Sequence, residues 1–521
     1  MDTKALRQKI LDLAIRGKLV PQDPNDEPAS VLLDRIRAEK QQMVKEGKLK
    51  AKDIKNDTII YVGEDNLHYE KFTDGSEKCI EDEIPFELPD GWAWTKINTI
   101  AFVTKLAGFE YTKNIAPNLC EDGIPLFKGK NVQNSTIVYE FESFIPESVS
   151  DELQRSQITK KCILTPYVGT IGNIGIHNRP GKYHLGSNVG KIELYNDNAV
   201  LLEEYIVAYL KSSFGYQQLT KHMKATAQAS ISIEAIRDVY LPIPPANEQL
   251  RMWEALSNAL AMIERIENAE LDITNLIEST KSKILDLAIR GQLVPQNPDD
   301  EPASVLLEHI RAEKEELIKQ GKLKRDKKES IIFRGDDNSY YGIKLPRSWC
   351  WACLKDIAIS ISDGSHNPPS DKGYGVPLLS ASNISNQVVS IDKASRWITN
   401  EEWIIENQRT HIEFGDVLLT IVGTIGRSAV VQTDKKFALQ RSVAVIKPCL
   451  INAFFLMHIC QAPQIQKWLL DNSKGTAQKG IYLNALSTMM IPIPPLAEQT
   501  QIVEKIDAAL KYLNSISNDI A

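Results

Sequence analysis

Between residues 247 and 279 the apolar positions Leu250, Trp253, Leu256, Leu260, Ile263 and Ile266 recur in steps of three and four. That period sets them on one narrow stripe of a helix, and such a stripe suits a coiled-coil seam that needs a helical partner. Residues 498–517, with Ile502, Ile506, Leu510 and Leu513 at similar steps, are the predicted partner, packing against this helix or against its continuation. Two more helices are bounded by punctuation. Pro28 and Pro302 stand where a helix starts, ahead of Ala-Ser-Val-Leu-Leu, and Gly47 and Gly321 stand where it stops. Residues 415–431 read as two buried strands around a glycine turn. The stretches 84–245 and 341–495 read as mixed strands and helices, and residues 48–57 and 322–330 as charged linkers.

The helical parts are written twice. Residues 9–50, beginning KILDLAIRG, recur at 283–324 with about three residues in four identical. A second repeat places Leu241-Pro-Ile-Pro-Pro-Ala-Asn-Glu-Gln249 against Ile491-Pro-Ile-Pro-Pro-Leu-Ala-Glu-Gln499. In mid-chain the Pro-Pro-x-x-Glu-Gln helix runs into KILDLAIRG, whereas KILDLAIRG opens the chain and the other motif closes it. Joining the ends would recreate the central order, so a circular pseudo-two-fold is expected, with the termini forming a second copy of the central helical unit. The two stretches of about 155 residues between these repeats are each the size of one domain. Both open with Leu-Pro-x-x-Trp-x-Trp (Leu88 to Trp94, Leu345 to Trp351) and carry Val-Gly-Thr-Ile-Gly at 168–172 and 422–426. Both end on Thr-Ala-Gln, at 226–228 and 476–478. Little else agrees, so the frame is alike while the middles diverge.

Composition narrows the class. The chain is 43% hydrophobic and 25% charged, and no apolar run approaches the eighteen or so residues of a membrane span. MDTKALRQKI has no signal-peptide core, and seven scattered cysteines point to a reducing compartment, which here is the cytoplasm. The net charge of −7 is uneven. Residues 84–245 hold 15 basic and 16 acidic side chains and 341–495 hold 15 and 11, leaving 31 and 41 for the helical remainder. The acidic frame is therefore not expected to be a nucleic-acid surface.

Four motifs suggest chemistry and each has a plainer reading. Asn367-Pro-Pro-Ser370 resembles the Asn-Pro-Pro-aromatic tetrapeptide of adenine methyltransferases, but serine replaces the aromatic ring and no Gly-rich cofactor loop accompanies it, so a proline turn is expected. Gly186-Ser-Asn-Val-Gly-Lys191 is one residue short of a phosphate loop and has Ile192 where Ser or Thr is needed. Cys350-Trp-Ala-Cys353 lacks a second pair and reads as core packing rather than as a metal site. Gly169-x-x-Gly172-x-x-Gly175 loses its third glycine to Ser428 in the other copy and reads as a hairpin turn.

Polar clusters near these turns are the candidate recognition residues, because Arg, Lys, Asn and Gln match the donor and acceptor pattern of base edges and phosphates. In the first stretch they are Lys128, Lys130, Asn131, Thr170, Asn173, Lys182, His184 and Asn188. In the second they are Ser365, His366, Asn367, Asn383, Thr424, Arg427, Gln440 and Arg441. The lysine-flanked Thr-Ala-Gln segments add Lys224 and Gln228, then Lys474, Gln478 and Lys479, where small residues let a phosphate approach the backbone.

With these motifs in their doubled, circularly permuted order, the chain resembles the specificity subunit of type I restriction-modification systems over nearly its whole length. The resemblance implies two target-recognition domains of mixed α/β (α+β) structure, residues 84–245 and 341–495, separated by long antiparallel coiled-coil helices. Residues 1–83 would complete the far frame and add a linker, 246–340 would be the central spacer, and 496–521 would pair with the N-terminal segment. Each domain would read half of a split, asymmetric sequence in double-stranded DNA, and the frame would dock two modification (methyltransferase) subunits. Restriction subunits, using ATP and Mg, would complete the enzyme, with S-adenosylmethionine as methyl donor, and this chain itself would hold no cofactor, no metal and no catalytic residue. Two other classes stand beside it, a stand-alone adenine DNA methyltransferase and a two-fold scaffold that binds no DNA. Residues 48–83 are a departure, with only a shorter counterpart after Lys324 and no assigned role.

Overall fold

In a computed structural model the protein is described over residues 2–195, 202–223, 229–325, 339–475 and 479–520. It divides into two compact units, Met1–Ala269 and Glu270–Ala521. Each divergent stretch is thus packed together with pieces of the repeated frame.

The two units repeat one plan. The strand following Leu-Pro-x-x-Trp, Ala93–Lys96, pairs antiparallel with Tyr240–Ile243, which leads into the Pro-Pro turn. In the second unit Cys350–Cys353 pairs in the same way with Met490–Ile493. The two motifs are alike because they are where the chain enters and leaves each domain. Beyond this gate lies a four-stranded antiparallel sheet, in the order Gly175–His177, Cys162–Pro166, Val189–Leu194, Ala101–Lys105. Its counterpart runs Ser428–Val430, Val417–Thr420, Val443–Pro448, Ala358–Asp363. Cys162–Pro166 and Val417–Thr420 are buried at every position, as expected for strands covered on both faces. Helices Glu203–Lys211 and Ala453–Cys460 supply the cover. Asn452 caps the latter by accepting from the backbone of Phe454 and Phe455 at 3.0 and 3.2 Å.

A buried carboxylate ties the frame to each domain. The Trp92 indole donates to Glu248 at 3.0 Å, and Gln22 donates to Gly17 O at 2.6 Å and to the other Glu248 oxygen at 3.4 Å. Trp349 donates to Glu498 at 2.9 Å, and Gln296 to Glu498 at 2.5 Å and to Gly291 O at 3.3 Å. Burial holds both carboxyls above the usual range. The following glutamine closes the gate by donating back to its own Pro-Pro turn, Gln249 to Pro244 O at 3.0 Å and Gln499 to Pro494 O at 3.2 Å. Glycine is required in AIRG because Gly17 and Gly291 have φ of +63° and +66°, and a Cβ on either would lie 2.5 Å from the proline of Leu-Pro-x-x-Trp.

Helices Ala29–Lys45 and Ala303–Lys319 begin just after Pro28 and Pro302 and stop before Gly47 and Gly321, both at positive φ, as the punctuation predicts. Helix Ala246–Ile289 runs unbroken through 44 residues into the KILDLAI passage. Most of the expected stripe faces inward, with Leu256 and Ile263 buried and Trp253, Leu260 and Ile266 half-buried. Only Leu250 departs from it, at 54% exposed, while Met252 is buried instead, because the first part of this helix packs onto the core of the first unit. Ile502 and Ile506, on Leu496–Ile520, are fully buried in the core of the second unit.

The structure also corrects the linker reading of residues 48–57. Ala51–Ile54 form a helical turn, and Asp57 pairs at 2.6 Å with the buried Lys40. Lys40 also donates to the carbonyls of Asn98 and Thr99, each at 3.1 Å, near the end of helix Ile97–Ile100. Lys314 in the other copy donates likewise to Lys355 O at 2.8 Å. Next come strands Thr58–Val62, His68–Phe72 and Glu77–Cys79, which form an antiparallel meander. Glu70 fixes it to the gate by pairing with Lys96 at 2.6 Å and accepting from the Tyr240 hydroxyl at 3.1 Å. Residues 326–330 of the second predicted linker lie outside the described residues. Among the described residues no helix is long and apolar enough to cross a membrane.

Candidate nucleic-acid interface

In both units the loops that carry the sequence candidates converge on one edge of the four-stranded sheet. In the first unit, the Val-Gly-Thr-Ile-Gly turn leaves strand Cys162–Pro166 and is held from two sides. Tyr167 N donates to Asn188 O at 3.1 Å, and Gly169 N to Ala229 O at 2.9 Å. Ile231 N donates back to Tyr167 O at 2.9 Å, and Gly129 N reaches Ser187 O at 3.1 Å. The turn, the 128–131 loop, the 186–188 loop and the chain leaving the Thr-Ala-Gln segment therefore form one surface. The second unit repeats the wiring. Ile421 N donates to Ser442 O at 2.9 Å, Gly423 N to Lys479 O at 3.1 Å and Ile481 N to Ile421 O at 2.9 Å. Gly169 and Gly172 have φ of +88° and +96°, and Gly426 has +96°, in a hairpin as expected, though its loop, between the pairs Leu164–Gly175 and Leu419–Ser428, is longer than a tight turn.

The edge gathers some candidates and not others. Thr170 and Asn188 are exposed on it, the latter with φ of +65°. Lys128 is half-buried and donates to Ser143 Oγ at 2.7 Å, and exposed Lys130 pairs with Glu142. In the second unit Asn367, Thr424, Arg427, Arg441, Lys474 and Lys479 are exposed, and Gln440 is half-buried. Lys474 and Gly480 exchange backbone hydrogen bonds at 2.8 and 2.9 Å, closing the loop between them. His366 is exposed beside buried Asp363, 2.8 Å away, and Arg409 contacts both.

Other candidates face inward. Asn131 is buried, accepting from Lys128 N at 2.9 Å and donating to Val138 O at 3.0 Å and Glu140 O at 2.9 Å. Asn383 is buried in the same role, accepting from Ser380 N at 3.0 Å and donating to Lys393 O at 2.9 Å. Both fold their own loop. Asn173 is half-buried and donates to Val132 O at 3.0 Å. His184 is buried against Leu185 O at 2.8 Å, and burial lowers its pKa below the ordinary imidazole value, so it is neutral near pH 7. Lys182 lies beyond the far end of strand Tyr183–Leu185 and pairs with Glu147 and Asp151 at 3.0 and 2.6 Å. Ser365 is buried, its backbone bridging Leu439 and Arg441 at 2.7 and 2.9 Å. Lys224, Gln228 and Gln478 lie outside the described residues. The lysine of the phosphate-loop lookalike, Lys191, is buried between Gln157 O and Glu193, each at 2.7 Å. Cys353 is buried against Met490 at 3.6 Å, as core packing predicts.

The sequence reading passed over several residues at this edge. Lys105 ends the edge strand, pairs with Gly190 and stands over the Tyr167 ring at 4.4 Å. Phe109, Arg409 and Tyr482 are likewise absent from the polar clusters. Lys105 sits in an ordinary alternating strand, and only its pairing partner reveals where it lies.

The comparisons with known proteins agree on one group. The family model for the type I restriction modification DNA specificity domain matches residues 90–274 and again 346–521. The chain is 26% identical to the type I restriction enzyme EcoEI specificity subunit of Escherichia coli, over 99% of this chain and 90% of that one. It is also 26% identical to the EcoAI specificity subunit of the same species, over 98% and 90%. Its fold is similar to that of a solved chain from work on complex assembly and conformational transition of the type I R-M system, with a TM-score of 0.52 at 17% identity, covering 84% of this chain and 94% of that one.

Proposed function

This chain belongs to the type I restriction modification DNA specificity family, and we propose from that premise that it is the DNA-reading, non-catalytic subunit of a cytoplasmic restriction-modification complex. Each divergent domain reads one half of a bipartite, asymmetric sequence in double-stranded DNA. The repeated frame docks modification (methyltransferase) subunits and sets the distance between half-sites. S-adenosylmethionine, ATP and Mg are used by partner subunits, the last two by restriction subunits.

One observation carries this reading. Two edges with the same backbone wiring present different side chains, Ser187-Asn188 against Arg441-Ser442 and Lys130 against Ser382, whereas the Trp, Glu, Gln and Gly that tie each domain to the frame are the same. Constant scaffolding with variable tips is what reading two unlike half-sites requires. Methylated-base sequencing of a strain carrying this chain and its methyltransferase should return a split sequence with half-sites about one helical turn apart. Adding one heptad within residues 247–279 should lengthen the spacer and leave both half-sites unchanged. A contiguous site, or an unchanged spacer, would contradict the proposal.

A further inference from the structure

Phe109 is 73% exposed, more than Tyr374, Tyr482 or Phe414 at 68–69%. It is not on a loose loop. Tyr111 N donates to Ala107 O at 2.9 Å, Ala107 N to the Glu110 carboxylate at 3.0 Å, and the Thr112 hydroxyl to Gly108 O at 3.0 Å. The backbone on both sides of the ring is thus fixed while the ring itself points to solvent.

The register places this ring at the recognition edge. Lys105 pairs with Gly190 and Asp363 with Ala444. Gly190 and Ala444 each lie two residues past the carbonyl, Asn188 or Ser442, that receives the N–H opening the glycine turn. Lys105 and Asp363 are therefore equivalent, and four residues on from them stand Phe109 and Asn367. Asn367 is exposed and polar, able to hydrogen-bond a base edge. Phe109 has no hydrogen-bonding group, and it follows by four residues Lys105, which pairs with Gly190, two residues past exposed Asn188. A bare aromatic ring on a segment that leaves a strand ending in a cation fits a polyanion whose interior offers π faces, better than it fits an apolar protein groove.

We propose that Phe109 stacks on a base step of the half-site read by the first domain, unstacking it locally. The inference rests on the DNA-reading function above and adds a mode of contact for one domain. The domains then differ in kind as well as in sequence preference, the first using an aromatic wedge where the second uses an amide.

The test uses the complex of this chain with its methyltransferase subunits. Its DNA is a duplex of the sequence found methylated, carrying 2-aminopurine in turn in place of each adenine on either strand of the first half-site, the base that is methylated excepted because the methyltransferase itself flips it out. The unsubstituted complex should raise 2-aminopurine fluorescence at one step, and Phe109→Ala should abolish the rise and weaken binding about tenfold, within the range for one aromatic–base stack. The slope of log K against log salt should not change, because no phosphate contact is lost. Phe109→Trp should keep both signals, while Lys105→Ala should lower the slope and retain the fluorescence rise. Wild-type affinity in Phe109→Ala, a rise that survives it, or a loss of methyltransferase assembly in place of DNA affinity would each overturn the inference. Failure of the unsubstituted complex to prefer its own sequence would instead bring down the DNA-reading function on which the inference stands.

Discussion

Replacing Trp349 by Phe isolates the junction between frame and domain. A smaller aromatic ring stays in the site, where Trp349 is fully buried among the residues of the second core, leaving a small void, and the 2.9 Å donation to Glu498 is lost. Glu498 is 2% exposed and then keeps only Gln296 among the side-chain donors that hold it. A hydrogen bond to a charged group is worth about 1.5–3 kcal/mol, and water has poor access to replace it, so the variant should lose about 2 kcal/mol. For a unit of roughly 250 residues this corresponds to a melting temperature lower by about 4–8 °C. Calorimetry should show the loss in the transition of the second unit, and Trp92→Phe should show it in that of the first. The pair combined should be nearly additive, because the two sites share no partner. A Trp349→Phe protein within about 0.5 kcal/mol of wild type, below the range for such a bond, would refute the claim that the repeated Trp and Glu hold frame to domain.

Three other outcomes follow from the same geometry. Asp57→Ala leaves the buried Lys40 ammonium with the carbonyls of Asn98 and Thr99 and the Tyr195 ring but no counter-charge in contact and should destabilise the first unit by about 3 kcal/mol, measured by urea unfolding; Lys40→Met in that background should recover part of the loss. Because burial raises the Glu498 pKa, its favourable contribution is complete below the usual 4.5 and is lost as pH rises through the higher folded value. Wild type should therefore gain stability relative to Glu498→Gln as pH is lowered through that window, and a constant difference would contradict the assignment. Arg441→Ala removes an exposed cation at the second edge and should lower the salt slope of DNA binding by about one unit, as seen by fluorescence anisotropy between 50 and 200 mM salt, roughly the range over which such slopes are read.

Much of the frame was legible in the chain because its motifs are local and doubled. Pro28, Gly47 and Gly17 mark helix ends by backbone restriction alone, and two copies of Trp and Glu-Gln announced a shared constraint. What the constraint was could not be read, since Trp92 and Glu248, 156 positions apart in the chain, meet only once what lies between them has folded. The recognition edge was half legible. Asn131 and Asn383 carry the same amide that reads bases, yet that amide equally suits capping a loop, and here both are buried doing so. Phe109 was invisible for the opposite reason, as an apolar residue after a strand looks like core. Residues 48–57 looked like a linker because their charges are dense. The pairings of Asp57 with Lys40 and, further on, of Glu70 with Lys96 become apparent only once strands and helices are placed.

The central claim is that each divergent domain reads its own half-site independently on a constant frame. Residues 84–240 can be exchanged for the same region of a relative with a different target, and the methylated sites sequenced in cells that also carry the methyltransferase. One half of the methylated sequence should change to that of the relative, with the other half and the spacer intact. A change in both halves, or in neither, would contradict it.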